Sequence, residues 1–187
     1  MTDIDRFSKL LLSTKRQGMR DLLIDMEKGG FFTAPCSSKF HLCKEGGLLE
    51  HSLNVYDTMK ELAESLTVGA EITDENIIIC ALLHDLGKMG QFGKPNYVEN
   101  ILKTGISKAQ PYKTNPDLLY IPHEIRSISI AKEHIALTEQ EEFAILYHNG
   151  LYGDLKYAYN GKETELSMLL HMADLWCCRV TEVDDEQ

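Results

Sequence analysis

Residues 73–88 read TDENIIICALLHDLGK, the most apolar segment of the chain, and it ends abruptly on His84-Asp85 with Gly87 and Lys88 behind. A segment this apolar is expected to be buried. Periodicity alone does not separate a buried helix from a buried strand here. The length of the run and the capping residue at Thr73 or Asp74 favour a helix. Two metal-binding groups at its end leave two readings open. They are a solvated helix end, or the floor of a site whose other parts lie elsewhere in the chain.

The remaining chain limits what that site can serve. At 187 residues, the length suits one domain that buries a core without staples. Hydrophobic content of 43% against 26% charged residues places it among folded globular proteins. No apolar run approaches the roughly 20 residues of a membrane span. The start, MTDIDRFSKLLLSTKRQ, lacks the pattern of a signal peptide, so a cytoplasmic protein is expected. Cys36, Cys43, Cys80, Cys177 and Cys178 show no CxxC spacing and read as buried thiols of a reducing compartment. The net charge of -10 argues against a sequence-independent nucleic-acid binder. Phosphate chemistry stays compatible only if something cationic sits in the cleft, and a metal ion is the usual source.

Helical patterns dominate. DRFSKLLLSTKRQGMRDLLIDMEKGGFF predicts helices over 3–29, divided at Gly18 and stopped at Gly29-Gly30. TAPCSSKFHLCKEGG reads as a loop. GLLEHSLNVYDTMKELAESL is amphipathic, with Leu48, His51, Val55, Met59, Leu62 and Leu66 on one stripe. Residues 90–122, with Pro95, Pro111, Pro116 and Pro122, predict an inserted loop or a short β-hairpin turning at Thr104-Gly105. Helices resume at HEIRSISIAKEHI and at TEQEEFAILYHNG, where Thr138 and Glu141 form a capping-box pattern. YGDLKYAYNGK reads as a loop, TELSMLLHMADLWCCRVTE as the last helix, and the acidic end, 181–187, as a frayed tail. The expectation is one all-α domain with its core over 36–180.

Seven histidines punctuate these elements. His51 lies on an apolar stripe, His84 ends the buried helix, His123 opens one helix and His148 ends another. Asp174 sits inside the apolar stretch LLHMADLW. A carboxylate in apolar surroundings is costly unless paired or metal-bound, so it caps a loop, pairs with an arginine such as Arg179 or Arg126, or shares a metal centre with these histidines. His41, His134 and His171 read as ordinary hydrogen-bonded or solvated histidines, with His171 also placed to support a ligand from behind.

GGLLEHSLNVY, ALLHDLGK, YHNG and LLHMADLW, in this order, resemble the HD-domain superfamily of metal-dependent phosphohydrolases. The resemblance covers roughly residues 36–180. Small stand-alone phage and bacterial members, and the HD domains of some 3'-5' exoribonucleases, are the most similar. It implies an HD-domain helical bundle in which His51, His84, Asp85 and Asp174 bind metal. His123 and His148 match the extra histidines of the binuclear subgroup, so two ions are implied, with Asp85 bridging. One departure is the context of His123, IPHEIRS, where related hydrolases carry a glycine-flanked His.

Imidazole and carboxylate ligands suit Fe, Mn, Ni, Co or Zn, with Mg a further option. The implied reaction is hydrolysis of a phosphoester, with a metal-activated water attacking phosphorus. Asp85 and Lys88 are the catalytic candidates. Lys88 either reaches phosphate, holds Asp85, or only finishes its helix. Lys39, Arg126 and Lys156 are weaker phosphate candidates, and Tyr97, Tyr112 and Tyr152 could stack on a base. The expected partner is a small phosphorylated substrate, a nucleotide or small phosphodiester. No stable nucleic-acid complex or membrane is expected, and an oligomer is compatible. The alternatives are a di-iron oxygenase of the same fold and a non-catalytic nucleotide-binding domain.

Overall fold

A computed structural model describes residues 1–66, 69 and 71–183. Among them are eight α-helices: α1 (Asp3–Ser13), α2 (Met19–Gly29), α3 (Gly47–Ser65), α4 (Asp74–Leu83), α5 (His123–His134), α6 (Glu139–Leu146), α7 (Lys156–Tyr159) and α8 (Glu165–Trp176). A 3-10 turn, Leu86–Met89, follows α4, and a π-helical turn, Cys177–Thr181, follows α8. None of the described helices is long and apolar enough to cross a membrane.

The sequence marks most of these boundaries. Thr2, Thr73, Thr138 and Thr164 each close a capping box at the start of α1, α4, α6 and α8, satisfying backbone donors the first turn leaves orphaned. Gly30 ends α2 in the left-handed conformation at φ 80°, which glycine adopts without cost.

The apolar run is a helix, and it is the axis of the molecule. Ile77 to Leu83 are all buried. Ile78, Ile79, Leu82 and Leu83 pack with Phe7, Leu11, Leu22, Leu48, Leu53 and Ile130. Ile77, Cys80 and Ala81 face the other way, onto Val55, Met59, Ala144, Leu166 and Leu170. One helix thus supplies both apolar clusters, which is why its sequence shows no polar face. The N-terminal helices α1 and α2 belong to the first cluster.

Residues 90–122 form the expected insertion, an interrupted antiparallel ribbon. Strand β1 (Tyr97–Glu99) pairs with β4 (Tyr112–Thr114), Tyr97 opposite Thr114. Strand β2 (Ile101–Leu102) pairs with β3 (Gly105–Ile106). The turn is therefore Lys103-Thr104, one residue earlier than the sequence suggests.

Two expectations are corrected. The stretch 152–162 is not wholly loop, because one helical turn, α7, places Tyr159 in the core, where it stacks on Tyr147 at a centroid distance of 5.3 Å. The acidic end is not a frayed tail at Glu182, which is buried and hydrogen-bonded. Asp184 to Gln187 lie outside the described residues.

Candidate metal centre

Four of the candidate ligands, His84, Asp85, His123 and His148, are placed by features at helix ends. His84 and His148 sit just beyond the C-termini of α4 and α6, where carbonyls lack helical partners. His84 Nδ1 donates to the Ala81 carbonyl at 2.9 Å and His148 Nδ1 to the Ile145 carbonyl at 2.8 Å. A carbonyl only accepts, so both rings are fixed with the proton on Nδ1 and a lone pair on Nε2.

After His84 the backbone leaves the α-helix at Asp85 (φ -102°, ψ 11°) and enters the 3-10 turn. Gly87 lets that turn approach α5. A Cβ at Gly87 would lie 2.3 Å from the His123 carbonyl and 2.8 Å from Arg126 Cβ, and its amide donates to Ser127 Oγ at 2.8 Å. The glycine of the HDLGK motif thereby brings His123, the first residue of α5, beside Asp85. His148 is supported from behind, since His171 Nδ1 donates to its carbonyl at 2.7 Å.

All six candidate ligands meet in one cluster, five of them buried and His123 half-buried. His51 Nε2 lies 3.2 Å from His84 Nε2, 3.2 Å from Asp174 Oδ1 and 3.5 Å from Asp85 Oδ2. His84 Nε2 is 3.4 Å from the same Asp85 oxygen. The other Asp85 oxygen, Oδ1, faces His123 Nε2 at 3.2 Å and His148 Nε2 at 3.6 Å, and these two nitrogens are 3.2 Å apart. Asp85 thus stands between two pairs of imidazoles, one oxygen toward each.

The donor set is acceptor-rich. Both Asp85 oxygens are buried without a hydrogen bond. Lys88 Nζ is 2.5 Å from Oδ2, a close charge pair. Four imidazole nitrogens converging on a buried carboxylate make a nitrogen and oxygen donor set of the kind that holds a cation. His51, His84 and Asp174 form one group of ligand atoms close enough to share an ion, and His84, Asp85 and His148 form another. The residues present therefore fit a divalent cation with nitrogen and oxygen ligands.

Electrostatics follow the same geometry. Burial would raise the Asp85 carboxyl, but Lys88 and the imidazoles outweigh it and hold it well below the usual range. Burial works against the Lys88 charge, and Asp85 more than offsets it. His51 is lowered by burial but raised more by its bonds to Asp174 and Glu182, reaching about 9. His148 is pushed down to about 3 by burial and by the nearby His84.

Other sequence candidates lie in different roles. Arg126 is buried and donates to Gln91 Oε1 at 3.0 Å and to the Leu119 carbonyl at 2.9 Å, pinning the insertion to α5. Lys39 and Lys156 sit over the rings of Phe40 and Tyr157. Tyr97 is half-buried within electrostatic reach of Lys88 and Asp85, Tyr112 is half-buried on β4, and Tyr152 is exposed beside His171. Asp174 meets His51 and the Cys178 thiol, at 3.3 Å, instead of an arginine. His134 pairs with Asp25 at 3.3 Å, as an ordinary surface histidine does.

Sequence reasoning missed His41 and Glu182. His41 Nδ1 donates to Glu182 at 2.7 Å, its ring packs on His51, and its Nε2 faces the Cys178 and Cys36 thiols at 3.4 and 3.9 Å. Nothing local distinguishes either residue, since one lies in an irregular loop and the other in an acidic run.

A family model for the HD domain matches residues 48–175, a span that begins just before His51 and ends just after Asp174. No curated protein and no solved structure gives a significant match to the chain. With that match over most of its length, the chain belongs to the HD superfamily of metal-dependent phosphohydrolases.

Proposed function

We propose that this protein hydrolyses a phosphoester of a nucleotide or a small phosphodiester at a dinuclear metal site. His51, His84 and Asp174 would hold one ion together with Asp85 Oδ2. His123 and His148 would hold the other together with Asp85 Oδ1. The observation that carries this reading is the Asp85 carboxylate, buried, without a hydrogen bond, with one oxygen toward each histidine pair. Bound there, divalent ions lower the pKa of a water near phosphorus and offset charge developing on the phosphoryl oxygens.

The chain's own residues prepare the site. The Nδ1 bonds of His84 and His148 hold both rings with Nε2 inward. Lys88 fixes Asp85 from the side away from His123, so we assign its charge first to the bridging carboxylate. The apolar clusters around α4 keep the floor of the site rigid and dry, which strengthens every charge interaction in it. The N-terminal helices share that core, which supports reading the chain as one catalytic domain.

A screen of nucleotides, dinucleotides and simple phosphoesters, with Mn, Co, Ni, Fe, Zn and Mg added in turn, tests the reading. Turnover with at least one metal is expected, and His84→Ala should abolish it while the far-UV circular dichroism is kept. Full phosphoesterase activity in His84→Ala would rule the metal mechanism out.

A further inference from the structure

We infer that Glu182 is a positioning residue of the metal centre: it holds His51 in its Nδ1–H form with Nε2 turned inward, and His41, whose ring packs on His51, holds Glu182 in turn. This rests on the metal-centre reading above and extends it beyond the family's matched segment, which ends at residue 175.

His51 differs from His84 and His148 in where it sits. Those two lie at helix ends and find an unpartnered carbonyl in their own preceding turn. His51 is in the body of α3, where the carbonyls of the preceding turn are already taken by the helix. Its Nδ1 needs an acceptor from elsewhere in the fold. Glu182 supplies it from 131 residues away, with both carboxylate oxygens 3.0 Å from Nδ1. The same carboxylate accepts from His41 Nδ1 at 2.7 Å and from Asn54 Nδ2 at 3.0 Å. Three donors on a side chain that is 1% exposed leave it one orientation.

The local backbone is shaped for this contact. Glu182 follows Asp174 by eight residues, which in a continuous α-helix would set it about 80° round the axis from Asp174. The π-helical turn at Cys177–Thr181, closed by the Glu182 amide donating to the Cys177 carbonyl at 2.9 Å, widens the last turn and swings Glu182 back over α3. Carboxylates behind a metal-binding imidazole fix its tautomer and make its free nitrogen a better donor to the ion.

The test is zinc affinity of the full chain, measured by competition with a chromophoric chelator. Its companion is the proton spectrum of the zinc-loaded protein. Glu182→Gln keeps the size but removes the charge, and should weaken binding by about 10–100-fold. It should also shift the downfield His51 Nδ1 proton that a carboxylate partner produces. Glu182→Asp should recover part of both. Should Glu182→Gln fold poorly, His41→Phe provides the second readout, with a smaller loss of affinity. Parent-like affinity and an unmoved proton in Glu182→Gln, while His51→Ala weakens binding, overturn the positioning role alone. Unchanged affinity in both variants overturns it together with the metal-centre reading.

Discussion

Removing the Lys88 ammonium would strand a carboxylate that has no hydrogen-bond donor of its own. Asp85 is buried, and its Oδ2 meets Lys88 at 2.5 Å. Lys88→Met should therefore destabilise the metal-free protein by about 3–5 kcal/mol, the usual cost of breaking a buried pair from one side. Divalent metal should restore much of that, because the ions supply the missing positive charge. Melting curves of the variant with and without Mn check this. A variant as stable as the parent without metal would show that Lys88 does not hold Asp85. At this scale the candidate ligands were legible as a group in the sequence: His51, His84, Asp85, His123, His148 and Asp174 each interrupt an apolar stretch or mark a helix end, and the fold brings them together. Glu182 and His41 were not legible. Their partnership spans 141 residues and depends on one π-helical turn that no local pattern announces.

At the scale of elements, the site depends on how the 3-10 turn meets α5 and how α6 is anchored. Gly87→Ala would force a Cβ against the His123 carbonyl and push α5 away from Asp85. The cost should be about 1–3 kcal/mol, as for other overpacked contacts. The variant should lose metal from the His123–His148 side before the other, read by metal analysis after dialysis. The Arg16–Glu141 pair ties the α1–α2 link to α6, with Glu141 wholly buried and Arg16 Nη2 2.6 Å from its Oε1. Burial would raise the Glu141 carboxyl, but the Arg16 hydrogen bonds outweigh it and lower it. A depressed folded value means the pair stabilises the protein fully above about pH 4.3, the unfolded glutamate value, and the contribution fades as pH falls through the folded value. Urea unfolding between neutral and acid pH should show this loss, and Glu141→Gln should flatten the acid slope. The longer helices were legible from apolar spacing or length, and the caps at Thr73 and Thr138 mark where α4 and α6 begin. Helix α7 escaped because four residues give no periodicity.

Over the whole molecule, α4 joins the two apolar clusters and delivers the His84-Asp85 pair between them. The all-apolar run announced this architecture, since only burial on both sides suits such a sequence. The ribbon at 97–114 was legible as an insertion, but its register was not, because short exposed strands carry little side-chain pattern to fix pairing. A metal held by residues that only the fold brings together would stabilise the folded chain, so removing it with a chelator should lower the melting temperature. At a free metal concentration about 1,000 times Kd, the loss corresponds to about 4 kcal/mol. The central claim is that Asp85 joins two metal ions, and metal stoichiometry of protein purified without chelator tests it most directly. A value near two per chain, falling to near one in His123→Ala and lower still in Asp85→Ala, is the predicted result. A value near one that His123→Ala leaves unchanged would contradict it.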